Sequence, residues 1–126
     1  MKTLDKLTYV SQAEGVIDKL DKDKYNKISL TSNQIRNVLS LVNELYDMAR
    51  MNSEPVLNEK IRSHAQYVKM RLVYAAGRDN KVKDLLKKSD LLNYLDAVGN
   101  SKEELILVCR YTEALVAYHK FYSDER

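Results

Sequence analysis

TSNQIRNVLSLVNELYDMA, residues 31–49, reads as one amphipathic helix with its own start signal. In Thr31-Ser32-Asn33-Gln34, a hydroxyl can accept from the free N–H groups of a first turn, and a Gln three residues on can reach back. Behind this cap Ile35, Val38, Leu39, Val42, Leu45, Tyr46 and Ala49 recur at helical spacing. Arg36, Ser40, Asn43, Asp47 and Arg50 fall on the opposite side. An apolar stripe backed by a polar one is the mark of a helix packed on a core.

The same period extends outward in both directions. Upstream, Val10, Ala13, Val16, Ile17 and Leu20 predict a helix over residues 8–22, followed by the polar segment DKDKYNK as a loop. Downstream, Ser53-Glu54-Pro55 predicts a helix start, because a proline in the first turn lacks only an N–H that would have had no partner. Leu57, Ile61, Ala65, Val68, Leu72 and Ala76 form the stripe of that helix, and Gly77 is its predicted left-handed stop. Two short helices follow over 79–88 and 89–98, the second closed by Gly99. Ser101-Lys102-Glu103-Glu104 has the form of a capping box opening a last helix to about residue 122, with Leu105, Val108, Cys109, Leu115 and Val116 on its core face.

Composition agrees with an all-α chain. Three glycines and one proline in 126 residues disfavour a turn-rich β architecture. The length suits one domain, residues 1–126, folded as a compact bundle of five to six helices. A net charge of +3 sets 21 Lys and Arg against 18 acids, so the placement of the charges matters more than their sum. The amino-terminal stretch lacks the apolar run of a signal peptide, and no segment approaches the ~18 apolar residues of a membrane span. With a single cysteine, these features predict a cytoplasmic protein with no membrane partner.

Catalytic chemistry is hard to find. No phosphate-binding glycine loop is present, and His64 and His119 stand on different helices with no third soft ligand beyond Cys109. Cys109 falls on an apolar helix face, where a thiol is ordinarily inert. The reading is of a non-enzyme with no metal and no cofactor.

The third helix carries the strongest pattern. Lys60, His64, Tyr67, Arg71, Tyr74 and Arg78 follow steps of four, three, four, three and four, which places them in one stripe. Cations that neutralise phosphates alternate with rings on which bases stack, a combination suited to nucleic acid. Arg62, Gln66 and Lys69 make a second polar row, and Arg78, Lys81 and Lys83 carry positive charge past the helix end. A blander reading stands beside this one: rings tucked between helices and cations merely solvated or paired with Glu. On the last helix, Leu107, Tyr111, Ala114, Tyr118 and Phe121 form an aromatic row apart from the core face, suited to a protein interface or to a core edge.

Three segments, QIRNVLSLVNELYD (34–47), QYVKMRLVYAAGRDNKVKDLL (66–86) and CRYTEALVAYHKFY (109–122), resemble the small subunit of the type III-A CRISPR effector, the Csm complex. The resemblance covers nearly the whole chain. It implies a helical bundle, several copies of which form an inner ridge beside the backbone subunits that hold the guide RNA. It also implies as partners the guide RNA, the target RNA, the large polymerase-like subunit, the backbone subunits and further copies of itself. Cleavage and nucleotide synthesis would belong to those other subunits. Within the matching segments, Arg36, Lys69, Arg71, Arg78 and Arg110 are candidate RNA contacts, with Lys81 beside them. The alternative is a helical adaptor that binds proteins and never touches nucleic acid.

Overall fold

The computed structural model describes residues 2–123. Six helices follow one another: α1 (Tyr9–Lys19), α2 (Ser32–Arg50), α3 (Glu59–Arg78), α4 (Asn80–Ser89), α5 (Leu91–Ala97) and α6 (Lys102–Tyr122). The fold is all-α. Among the described residues the only extended pairings are two isolated bridges, Lys22 with Ile28 and Val56 with Ser101.

The cap at Thr31 forms as its sequence predicts. Thr31 Oγ1 accepts from Gln34 N at 3.2 Å, and Gln34 Oε1 accepts from Thr31 N at 2.9 Å. Two orphan donors of α2 are thereby satisfied. Its inner face buries Ile35, Val38, Leu41, Val42, Leu45 and Ala49. Against it lies α6, the central element, which also packs on α1 and α5, while α3 packs on α2, α4 and α5. One continuous core joins all six helices.

Local expectations fail where tertiary contacts intervene. Residues 53–55 do not start a helix. Leu57 N donates to Asn100 O at 2.8 Å and Lys102 N donates to Pro55 O at 3.0 Å, so this segment is held extended against the entrance to α6. Buried Asn52 fixes it: its Nδ2 donates to Glu54 O at 2.6 Å and Val56 O at 3.2 Å, and its Oδ1 accepts from Asn58 N at 3.2 Å. The cap of α3 is instead Asn58, whose Oδ1 accepts from Ile61 N at 2.9 Å. At the other end α3 runs through Gly77 to Arg78 and stops where Asp79 becomes extended. The left-handed stop falls at Gly99 (φ +56°), after α5, as expected there.

Helix α1 ends three residues early, at Lys19, because Leu20 turns extended to bury its side chain. Lys22 then reaches back and donates to the carbonyls of Asp18 and Leu20, at 2.7 and 3.3 Å. Val10 is 44% exposed and lies outside the core face to which its spacing assigns it. At Ser101 only the forward bond of the capping box appears, Glu104 N to Ser101 Oγ at 3.2 Å. Tyr111 departs most from its aromatic row: it is fully buried, and its hydroxyl donates to Ser89 O at 2.8 Å. A phenol can enter a core when its hydroxyl finds such a partner.

Candidate nucleic-acid interface

One face of α3 is committed to the core through Ile61, Val68 and Leu72. The stripe from Lys60 to Arg78 lies around the helix from this face, spanning about 27 Å at 1.5 Å per residue. Tyr67 and Tyr74 are 48% and 66% exposed, so their rings are not tucked between helices. The side chains are ordered by one another. The Arg71 guanidinium lies 5.7 Å from the Tyr67 ring centre, Arg78 lies 5.7 Å from that of Tyr74, and the His64 ring is 5.6 Å from Tyr67. Cations over ring faces gain from the ring quadrupole while their charge stays accessible to water.

Glu44 of α2 anchors the middle of the stripe. His64 Nε2 donates to Glu44 Oε1 at 2.9 Å, and Arg71 lies 3.7 Å from the same carboxylate. Towards the carboxyl end of α3, Asn37 and Leu41 of α2 join Met70, Arg71, Tyr74, Ala75 and Arg78 around a groove of about 410 Å³. Its floor is apolar and its rim carries two guanidiniums, of which Arg71 is paired with Glu44 from outside the lining and Arg78 lies over Tyr74. Such a groove can take a flat ring against Tyr74 and an anion against Arg71 and Arg78. Nothing in the sequence marks Glu44 as a partner of α3, although it follows Asn37 and Leu41 at the steps of four and three that continue one helix row.

The six candidate cations do not converge on one surface. Arg71 and Arg78 share the groove. Arg36, exposed on α2, immediately precedes the groove residue Asn37. Lys81 is exposed in the first turn of α4, which Gln34 of α2 holds close through a 2.8 Å bond from its Nε2 to Asp79 Oδ2. Lys69 turns away, its Nζ 2.8 Å from both oxygens of Asp96 on α5. Arg110 lines a separate groove with Lys6, Pro55, Lys102, Glu103, Ile106 and Leu107.

Cys109 and His119 form no reactive pair. Burial, aided by the charges of Glu113 and Asp47, pushes the Cys109 thiol up to about 12, the opposite of what a nucleophile needs. Its Sγ faces Val42 O at 3.8 Å, while His119 Nε2 donates to Leu30 O at 2.7 Å. Among the described residues no helix is long and apolar enough to cross a membrane.

Comparison with known proteins converges on one family. Residues 8–125 match the family described as Csm2 Type III-A. A CRISPR system protein Csm2 of Mycobacterium tuberculosis is 42% identical over 113 residues, 90% of each chain. Its namesake in Streptococcus thermophilus is 42% identical over 125 residues, 99% of each chain. That of Enterococcus italicus is 35% identical over 95 residues, 74% of this chain and 68% of its own. With the family matched along almost its whole length, and all three segments of the resemblance inside that match, this chain belongs to the Csm2 family of type III-A CRISPR systems.

Proposed function

We propose that the chain is the non-catalytic small subunit of a type III-A CRISPR ribonucleoprotein effector, and that it helps hold the guide–target RNA duplex during antiviral defence. In this reading copies of the chain form an inner helical filament beside the backbone subunits and the large polymerase-like subunit, which carry the chemistry. The observation that supports an RNA contact is the exposed α3 stripe, in which Arg71 and Arg78 lie over the rings of Tyr67 and Tyr74 and line one groove. Guanidiniums serve phosphates and rings stack on any unpaired base, so the stripe reads no sequence and leaves that to base pairing.

The test is to isolate a tagged form of this chain from its native host and to sequence the RNA that comes with it. Recovery of a large polymerase-like protein, a repeated backbone protein and short repeat-derived RNAs supports the assignment. Recovery of the chain alone, with the locus expressed, contradicts it.

A second reading, the protein-binding adaptor, draws on Met70 and Val73, which are 58% and 49% exposed on the same helix. Reversing the charge of Arg71 and Arg78 separates the two. An adaptor assembles and retains target RNA normally after that change, whereas an RNA-contacting subunit assembles and loses target.

A further inference from the structure

The loop between α1 and α2 is polar by composition, yet it is built as a rigid turn. Lys22 and Ile28 bridge its two arms. Within them Asp23 N donates to Lys27 O at 2.8 Å, and Asn26 N donates to Asp23 O at 2.9 Å. The Asp23 carboxylate accepts from Tyr25 N and Lys27 N at 2.8 and 3.1 Å, and Asn26 takes the left-handed conformation (φ 63°) that closes the turn. At the root, Asp21 N donates to Asp84 Oδ2 of α4 at 2.9 Å, and Lys88 bridges Asp21 and Asp84 at 3.1 and 2.8 Å. The exit strand is fixed by the His119 bond to the carbonyl of buried Leu30.

This rigidity presents one ring to solvent. Tyr25 is 70% exposed at the tip, with Lys24 Nζ 5.2 Å from its ring centre. The acids of the turn are all occupied: Asp21 by Lys88, and Asp23 by two backbone amides. Lys24 and Lys27 form no ion pair among the described residues, and with Lys22 they outnumber Asp23, the one acid of residues 22–28, so the turn is net positive. The turn also leads directly into Thr31 and the start of α2, which Gln34 ties to Asp79, the residue after Arg78. The exit of the turn and the end of the α3 stripe therefore both lie at the start of α2.

We propose that the turn over residues 22–28 is a second single-stranded RNA contact, in which Tyr25 stacks on a base and Lys24 and Lys27 meet the adjoining phosphates. The proposal rests on the RNA reading of α3 and extends that path around the start of α2. A ring pre-ordered by the backbone loses little freedom on binding, which is the advantage of a locked turn over a mobile loop.

The experiment is fluorescence anisotropy of a short labelled oligouridylate with the full chain, titrated at several salt concentrations. Tyr25→Ala is expected to weaken binding about tenfold, the equivalent of one lost base stack, while Tyr25→Phe keeps wild-type affinity. Lys24→Gln with Lys27→Gln is expected to lower the slope of log affinity against log salt by about 1.4. Circular dichroism checks that each variant keeps its helices. If Arg71→Gln with Arg78→Gln weakens binding while every turn variant matches wild type, the α3 reading stands and this proposal is overturned. If neither set changes binding, both readings fall. If the turn variants alone weaken it, the turn contact is upheld and the α3 contact is not.

Discussion

Lys69 and Arg71, two residues apart on α3, face opposite neighbours: Lys69 Nζ lies 2.8 Å from the Asp96 carboxylate of α5, and Arg71 lies 3.7 Å from Glu44 of α2. Two positions are roughly 200° around a helix of 3.6 residues per turn, and Leu72 is buried between them. One cation thus braces α3 against α5 while the other borders the exposed groove, and substitutions should tell them apart.

Lys69→Met breaks an ion pair whose side chains are 32% and 28% exposed. Solvent screening holds the cost to about 1 kcal/mol. Urea denaturation should show a lowered midpoint, and affinity for single-stranded RNA should stay within about twofold of wild type once the fold is intact.

Arg71→Gln with Arg78→Gln should do the reverse. Both guanidiniums are exposed and stack on rings of their own helix, so stability should change by under about 1 kcal/mol. RNA affinity should fall, and its salt slope should drop by about 0.7 for each phosphate contact removed. Titration at two or more ionic strengths reads both quantities.

How much of this was legible in the sequence differs from residue to residue. The Thr31–Gln34 cap and the stripe of α2 depend on neighbours three and four positions away, so they can be read directly. The start of α3 cannot. Pro55 suits a first helical turn, but the bonds from Leu57 to Asn100 and from Lys102 to Pro55 hold the segment extended, and those partners are distant in sequence. The rows of α3 were readable as rows. Which helix each row meets depends on distant partners, Asp96 for Lys69 and Glu44 for Arg71, so the family resemblance groups these two cations with each other and with Arg110 of another surface. Tyr111 lies in an aromatic row by spacing, and only the distant carbonyl of Ser89 makes its burial possible.

Asn52 is the keystone of the segment that replaces the expected helix start. Asn52→Ala removes two donated bonds and one accepted bond at a buried site, and leaves backbone groups of Glu54, Val56 and Asn58 short of partners. A loss of about 2 kcal/mol is expected in a denaturant titration.

Cys109 predicts a pH window. Its thiol titrates ordinarily near 9 and is pushed up to about 12 in the fold, chiefly by desolvation. Between these values the unfolded chain has lost the proton and the native chain keeps it, so stability is constant below about 9 and falls as pH rises towards 12. Cys109→Ala should flatten part of that fall in melting temperature between pH 8 and about 11. Native protein should also resist alkylation at pH 8, and react once unfolded.

The most direct test of the account is to load the assembled effector with target RNA carrying photoreactive uridines, irradiate it, and map crosslinked peptides on this chain. The account predicts adducts within residues 67–78, centred on Tyr67 and Tyr74. Crosslinks confined to the other subunits, in a complex that contains this chain and has bound its target, would contradict it.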